Sequence, residues 1–157
     1  MKFLKLLPVL FFVVLLNSCK KEYSNENLMA PIGSWQFVNA GATYSGYLDD
    51  FHASAGNVGS NAQSISGKTF DNSASFQLKF YTDSLRSGTY STSLAQCTFL
   101  YSSNGQTIYE ANQVIGEFII NVTVIDSTNI TGTFSGTVAD KASNSVQITN
   151  GQFAIHQ

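Results

Sequence analysis

Charge is the scarcest property of this chain. Only 11% of its 157 residues are charged, against about 25% in an average soluble protein. Beyond Lys21 the basic residues stand far apart in the sequence: Lys68, Lys79, Arg86 and Lys141. Because binding to nucleic-acid phosphates requires clustered Lys and Arg side chains, the composition excludes nucleic acid as an expected partner. Ser, Thr, Asn, Gln and Gly take the place of the missing charges, a mixture typical of exported β-proteins.

Residue types that support catalysis are also few. The chain has two histidines, His52 and His156, and one arginine. It contains no Gly-x-Ser-x-Gly segment that would present a serine nucleophile and no spacing of calcium or zinc ligands. We therefore expect no enzymatic activity, no metal and no cofactor. A hydrolase that uses Asp49, Asp50 and His52 is the less favoured alternative, because neighbouring acidic residues in a loop are usually solvated.

The amino terminus combines a basic start, an apolar run and a cysteine. Lys2 and Lys5 precede an apolar run over residues 6–16, which is too short for a bilayer span of ~20 residues but suits the central region of a signal peptide. Residues 16–19 then read Leu-Asn-Ser-Cys. This segment resembles the lipobox of bacterial lipoproteins, with an aliphatic residue at −3 and a small residue at −1 relative to Cys19.

The lipobox resemblance implies a processed, membrane-anchored product. Cleavage before Cys19 would remove residues 1–18 as a signal peptide, and a diacylglyceryl group would be attached to the cysteine sulfur. Each buried CH₂ contributes about 0.8 kcal/mol, so several acyl chains anchor a protein stably. Residues 19–31 would form a lipidated tether and residues 32–157 a single domain. Residues 19–22 partly resemble the Cys-x-Lys-acid export tag of Bacteroidetes surface lipoproteins, which favours the outer membrane and leaves the leaflet open.

The second cysteine is expected to be structural. If Cys19 carries a lipid, Cys97 has no partner within the chain, which excludes a disulfide framework. Cys97 precedes the apolar residues Phe99 and Leu100. This context predicts a buried small hydrophobic side chain rather than a reactive thiol.

The remainder of the chain alternates as β-strands do and shows no helical period. Phe118, Ile120 and Val122 alternate with polar residues, and the same alternation continues over residues 130–138 after a turn. This pattern predicts a long hairpin with one apolar face and one Thr-rich face. Further strands are predicted at residues 34–39, 43–48, 63–66, 74–81, 88–92, 96–103, 106–110 and 146–155.

Two local signals predict turns and bulges. The Asn104-Gly105 pair is the preferred sequence of a type I′ hairpin turn and would place Tyr101 opposite Ile108. The apolar parity switches across residues 150–151, which predicts a β-bulge with Gly151 at positive φ. The longest loop is predicted at residues 49–62, which are rich in Ser, Gly, Asn and Ala.

Eight to ten short strands predict an all-β, antiparallel fold. A β-sandwich and a small barrel both satisfy the pattern, and the sandwich is preferred. Residues 33–35 (Gly-Ser-Trp) resemble the Gly-x-Trp of lipocalin-type barrels, so a lipocalin-like β-barrel is the alternative. Segments 33–37, 130–137 and 148–153 also resemble small Bacteroidetes cell-envelope lipoproteins whose activity is unknown. That resemblance implies a location and a fold, and no activity.

Aromatic residues supply the candidate ligand contacts. Trp35, Tyr44 and Tyr47 are the candidates for a stacking platform for sugars or for the mouth of a ligand site. Filling of the core is the favoured alternative, because aromatic residues are common in strands and pack in cores. Three functions stay open. The preferred one is a non-catalytic envelope module that binds a glycan, a protein or a small apolar ligand. A structural subunit of an envelope complex and the hydrolase described above are the alternatives.

Two short motifs point to modification. Residues 83–85 (Asp-Ser-Leu) and 126–128 (Asp-Ser-Thr) resemble the O-glycosylation site of Bacteroidetes envelope proteins. Both lie in predicted turns, where a modifying enzyme can reach them. The resemblance implies O-glycosylation at Ser84 and Ser127.

Overall fold

The computed structural model describes residues 30–54 and 61–156, with the backbone alone at residues 50 and 52–54. These residues form ten β-strands. In chain order the strands are β1 (Ser34–Asn39), β2 (Ala42–Ser54), β3 (Ala62–Thr69), β4 (Ala74–Phe80), β5 (Gly88–Ser91), β6 (Cys97–Ser103), β7 (Gln106–Ala111), β8 (Phe118–Ile125), β9 (Asn129–Asp140) and β10 (Ser145–His156).

Eight of these strands close into an antiparallel barrel in the order β1-β2-β3-β4-β6-β7-β9-β10. The ring closes because β10 pairs with β9 on one side and with β1 on the other, where Ser34 lies opposite Ala154. The prediction of an all-β antiparallel fold is confirmed. The preference for a sandwich is wrong, because this pairing joins what would have been the free edges of two sheets, and the lipocalin-like barrel alternative describes the fold.

The shortest strand pairing in the barrel wall joins β7 and β9. Only two residue pairs join them there, Tyr109 with Asp140 and Glu110 with Ala139. Beside this contact β8 pairs with β9, and β5 pairs with β8. The β5–β8 pair therefore continues the wall where β7 ends.

The two ends of the barrel differ in their connections. Short turns at residues 40–41, 70–73, 104–105 and 141–144 all lie at one end, the hairpin end, because consecutive barrel strands run in opposite directions. The longer connections lie at the other end, the loop end, together with the start of β1 and the end of β10. Asn104 and Gly105 both have positive φ, which confirms the predicted type I′ turn geometry.

Alternation of side chains determines which residues fill the barrel. In β4, Ala74, Phe76, Leu78 and Phe80 are buried, whereas the residues between them are half-buried or exposed. The same alternation in β8 and β9 buries Phe118, Ile120 and other apolar residues and exposes threonines. The predicted apolar and Thr-rich faces are therefore confirmed, since successive side chains of a strand point to opposite sides.

Glycines make room for the largest core rings. Trp35 lies across Gly46 of β2 and Gly67 of β3: a Cβ atom at Gly46 would overlap the Lys68 carbonyl oxygen and lie 2.8 Å from Trp35 Cζ2. A Cβ atom at Gly67 would lie 3.0 Å from the indole nitrogen. Side chains at these two positions would displace the indole ring from the wall, so both glycines are required by close approach.

Irregularities in the strands correct three predictions. A register shift between Ile148 and Gly151 confirms the predicted bulge, but Asn150 has the positive φ of 53°, and Gly151 instead avoids overlap with Phe134. Tyr101 lies opposite Tyr109 and not Ile108, because a further bulge shifts the β6–β7 register.

The third correction concerns the long loop predicted at residues 49–62. Strand β2 continues to Ser54, and β3 begins at Ala62. Asp49 falls in a register shift between Leu48 and Asp50, after which the strand pairs again with β3. Polar residues therefore continue a strand here, because pairing with β3 satisfies the backbone regardless of side-chain polarity.

Candidate functional site

Aromatic rings occupy the barrel interior. The largest side chains with almost no exposed surface include Trp35, Phe37, Phe76, Phe99 and Phe134. Trp35 is 1% exposed, and its ring stacks on that of Phe76 with centroids 4.6 Å apart and planes within 6°. Its Nε1–H donates to the Tyr47 carbonyl oxygen at 3.1 Å. Trp35 therefore contributes to the core and offers no accessible ring face.

Tyr44 belongs to a hydrogen-bonded group at the hairpin end. Its ring stacks on Phe37 with centroids 4.8 Å apart, and its hydroxyl lies 3.1 Å from that of Tyr109. The Tyr109 hydroxyl donates to Asn39 Oδ1 at 3.2 Å, so Tyr44 donates to Tyr109. Asn39 Nδ2 in turn donates to the Gln147 carbonyl oxygen at 2.9 Å. The inward-facing polar groups at this end of the barrel thus bond one another.

This network suppresses ionisation of its hydroxyls. Burial raises the pKa of Tyr109 from 10.0 to about 12, and the proximity of Tyr44 adds to this rise. Burial also raises the pKa of Tyr101, whose ring stacks on that of Tyr109. Both hydroxyls are neutral near pH 7, so neither supplies a general base there. The arrangement suits a packed polar closure of the barrel end.

Tyr47 lies on the outer wall, beside a second aromatic ring. It is paired with Ser34, one position along from the inward-facing Trp35, so its side chain points away from the core. The Phe70 ring lies 6.5 Å from the Tyr47 ring, centroid to centroid, with the planes tilted by 43°. Phe70 is 69% exposed. We call Tyr47 and Phe70 together the aromatic platform.

Hydrogen bonds hold the turn that carries Phe70. Asp71 Oδ1 accepts from Thr69 Oγ1 at 2.6 Å, from the Ser73 amide at 3.1 Å and from Ser73 Oγ at 2.8 Å. These bonds lower the pKa of Asp71 from 3.8 to about 2, with Thr69 contributing most. The Tyr47 hydroxyl donates to Asn72 Oδ1 in the same turn. The platform therefore stands on a fixed backbone although its rings face solvent.

Sequence reasoning identified one ring of this platform and missed the other. Tyr47 was a predicted ligand contact, whereas Phe70 lies outside every predicted strand. The available signal was a large apolar residue, Phe70, directly before the turn residues Asp71, Asn72 and Ser73. An apolar residue at that place is unusual, because turns are formed mainly by small and polar residues.

The residues of the hydrolase alternative all belong to β2. Asp49 is exposed beside the register shift, and Asp50 and His52 pair through their backbones with Ser66 and Ser64. The side chains of Asp50 and His52 lie outside the described part. Among the side chains that the structure describes, no three or more of His, Cys, Asp or Glu are grouped to hold a metal ion.

The proposed modification sites and the cysteines occupy different surroundings. Ser84 and Ser127 are exposed, and the turn of Ser127 is held by Asp126, which accepts from the Thr128 and Asn129 amides. Cys97 is buried, and burial raises the pKa of its thiol to about 12, so it is not a nucleophile near pH 7. The predicted lipid site, Cys19, lies outside the described residues.

Two surface depressions lie on the wall formed by β7, β8, β9 and β10. The first, of about 500 Å³, follows the narrow β7–β9 contact and includes Glu110, Val114, Asp140 and Lys141. The second, of about 390 Å³, is lined by uncharged residues of β8, β9 and β10 and by Ala30. The first depression is therefore lined in part by charged side chains, and the second is lined by uncharged residues.

No known protein-family model, curated protein or solved structure matches the chain. Among the residues described, no helix is long and apolar enough to cross a membrane.

Proposed function

We propose that this chain is an exported lipoprotein of the outer membrane, anchored through Cys19, whose barrel is a non-catalytic module that binds a neutral glycan at the aromatic platform. The basic start, the apolar run and the cysteine at residue 19 support the anchor. The ring-filled interior favours binding on the outer surface over binding inside the barrel. The scattered charges favour a neutral ligand, because no basic cluster is available for an anionic one.

The observation that carries the binding proposal is the exposure of Phe70 on a rigid turn. Fully burying a Phe side chain contributes about 1.5–3 kcal/mol, and a turn whose backbone is already held loses little conformational freedom when a ligand covers the ring. The apolar face of a sugar ring can pack on such an aromatic ring. The sugar hydroxyls would then meet the polar side chains beside the platform, Lys68 and Asn72, which are both exposed.

The binding proposal is tested by electrophoretic retardation in gels that contain soluble neutral polysaccharides. We expect at least one polysaccharide to retard the wild type, Phe70→Ala to lose most of the retardation, and Tyr47→Phe, which keeps the ring, to retain most of it. Leu94→Ala is the matched control, because Leu94 is likewise 69% exposed but lies outside the platform. Equal retardation of Phe70→Ala and the wild type, or no retardation of the wild type, would contradict the proposal.

The anchor is tested separately by metabolic labelling with a radioactive fatty acid. We expect label on the wild-type chain and its recovery in the outer-membrane fraction. The Cys19→Ala variant should carry no label and should leave that fraction, whereas Cys97→Ala should be labelled normally. Label that persists in Cys19→Ala would show that the fatty acid is attached at another residue. That result would contradict the anchor at Cys19.

A further inference from the structure

The depression beside the β7–β9 contact, which we call the charged cleft, has a clear structural origin. β7 and β9 are joined by two residue pairs. After these pairs the chain leaves the two strands, into residues 112–117 after β7 and into residues 141–144 after β9. Residues of both segments line the cleft. Its volume of about 500 Å³ lies within the range of small-molecule sites, about 300–1,000 Å³.

Hydrogen bonds fix the segment that carries the apolar side of the cleft. Val114 is 91% exposed, and its amide donates to Asn112 Oδ1 at 2.9 Å. Asn112 Nδ2 donates to Glu110 Oε1 at 2.7 Å, so one amide side chain connects the apolar side of the cleft to a carboxylate. The Gly116 carbonyl oxygen accepts from Thr92 Oγ1 at 2.7 Å. Val114 is therefore displayed by a backbone that is already ordered.

Two of the three charged side chains in the cleft are available to a ligand. Asp140 is engaged by its own turn: its Oδ1 accepts from the Ala142 and Asn144 amides at 2.8 Å, and its Oδ2 accepts from Asn144 Nδ2 at 3.0 Å. Glu110 accepts at Oε1, which leaves Oε2 for a ligand, and Lys141 is exposed. The cleft therefore offers one negative and one positive group to the same occupant.

The strand register places these two charges close together on the outer wall. Glu110 lies opposite Ala139, and Lys141 stands two residues after Ala139, directly beyond the end of β9. Diagonal positions of this kind lie about 7–8 Å apart on antiparallel strands, so one small molecule can contact both side chains. Three exposed residues with hydroxyl groups also line the cleft: Thr107, Ser143 and Ser145.

We propose that the charged cleft binds a small zwitterion with an apolar side chain, the chemistry of a free apolar amino acid or of a short apolar peptide. The ammonium group of the ligand donates to Glu110 Oε2, and its carboxylate accepts from Lys141 and the neighbouring hydroxyls. Its apolar side chain packs on Val114 and Ile115. A ligand with one charge alone would leave the opposite side chain without a partner, which gives the site its selectivity. The inference does not depend on glycan binding or on the lipid.

Methyl NMR of the full-length protein tests this site with leucine as the probe. We expect leucine to shift the assigned Val114 and Ile115 methyl signals saturably. Leucinamide lacks the carboxylate, and N-acetyl-leucine lacks the ammonium group. Both should bind about tenfold more weakly than leucine, because a hydrogen bond to a charged group contributes on that scale. Equal binding of the three probes, or no shift with leucine, would overturn the proposal.

Substitutions in the protein test the same two contacts from the other side. Lys141→Gln and Glu110→Gln should each weaken leucine binding about tenfold. Lys79→Gln and Glu117→Gln are the matched controls, because neither residue lines the cleft, and both variants should bind leucine as the wild type does. Unchanged binding by Lys141→Gln and Glu110→Gln would refute the assignment. Glycyl-leucine that binds more tightly than leucine would support the proposal with a short peptide as the ligand, and weaker binding would support it with a free amino acid.

Discussion

Trp35 and Phe70 are aromatic residues with opposite positions in the barrel. Trp35 is 1% exposed inside it, and Phe70 is 69% exposed on a turn at the hairpin end. The Trp35 ring is held by packing, because it stacks on Phe76 and lies over Gly46 and Gly67. Around Phe70, hydrogen bonds to Asp71 hold the backbone and leave the ring free.

This difference separates the part of the molecule that provides stability from the part available for recognition. A ring that is covered on both faces contributes to the free energy of unfolding but cannot contact a ligand. A ring displayed on a fixed turn contributes little to folding and retains its surface for a partner. Substitutions at the two positions should therefore change different measurements.

Trp35→Ala should have the largest effect on stability. Truncation of a large buried aromatic side chain costs about 3–5 kcal/mol, because its burial is lost and a cavity remains. Phe70→Ala should change the free energy of unfolding by no more than about 0.5 kcal/mol. Urea unfolding followed by circular dichroism measures the stability of both variants. Tryptophan fluorescence cannot be used, because Trp35 is the only tryptophan and the Trp35→Ala variant lacks it. A large loss in Phe70→Ala would remove the distinction between the two rings.

The strands were predictable because their information is local. The period-two alternation of residues such as Phe76, Leu78 and Phe80 is visible in the sequence and survives in the structure. Closure of the barrel was not predictable in the same way. It depends on β10 pairing with β1, where Ser34 meets Ala154, and no local pattern distinguishes that pairing from the free edges of a sandwich.

Gly46→Ala should have the second largest effect. The added Cβ would overlap the Lys68 carbonyl oxygen and press on the Trp35 indole, and overpacking of this kind costs typically about 1–3 kcal/mol. Thermal unfolding by circular dichroism measures the loss. Combining Gly46→Ala with Trp35→Phe, which offers a smaller ring, should recover part of it. A Gly46→Ala variant as stable as the wild type would show that the wall can move away from the ring.

The candidate site was predictable only in part, for a related reason. Tyr47 was visible as an aromatic residue in a strand, but its partner Phe70 is defined by where the β3–β4 turn brings it. Trp35 was equally visible in the sequence, yet one step of strand alternation sends it into the core and Tyr47 to the surface. The β-bulge between Val122 and Val124 likewise leaves the Val124 side chain exposed, without a sequence signal that we identified.

The tyrosine network predicts a loss of stability in alkaline solution. Because the pKa of Tyr109 is raised from 10.0 to about 12 in the folded chain, its contribution is fully present below pH 10 and is lost as the pH rises towards 12. The unfolded chain ionises first over this interval, which favours unfolding. Urea midpoints measured between pH 9 and pH 11.5 should therefore decline, and Tyr109→Phe should reduce the decline. If the urea midpoint of Tyr109→Phe declines with pH as steeply as that of the wild type, groups other than Tyr109 cause the alkaline loss of stability.

Asp71→Ala should have the smallest effect on global stability and a clear local one. The Asp71 carboxylate accepts the hydrogen bonds that organise an exposed turn. Because these bonds lower its pKa to about 2, the stabilisation that they provide is lost as the pH falls from 3.8 towards 2. In Asp71→Ala the Ser73 amide loses its acceptor. The hydrogen exchange of this amide should therefore accelerate, while the thermal midpoint of the protein stays nearly constant.

Asp126→Ala provides the comparison, because Asp126 accepts from the Thr128 and Asn129 amides in a similar turn that carries no aromatic ring. If both variants loosen their turns but only Asp71→Ala weakens retardation by polysaccharide, the rigid display of Phe70 matters for binding. If neither variant weakens it, the turn serves the fold alone.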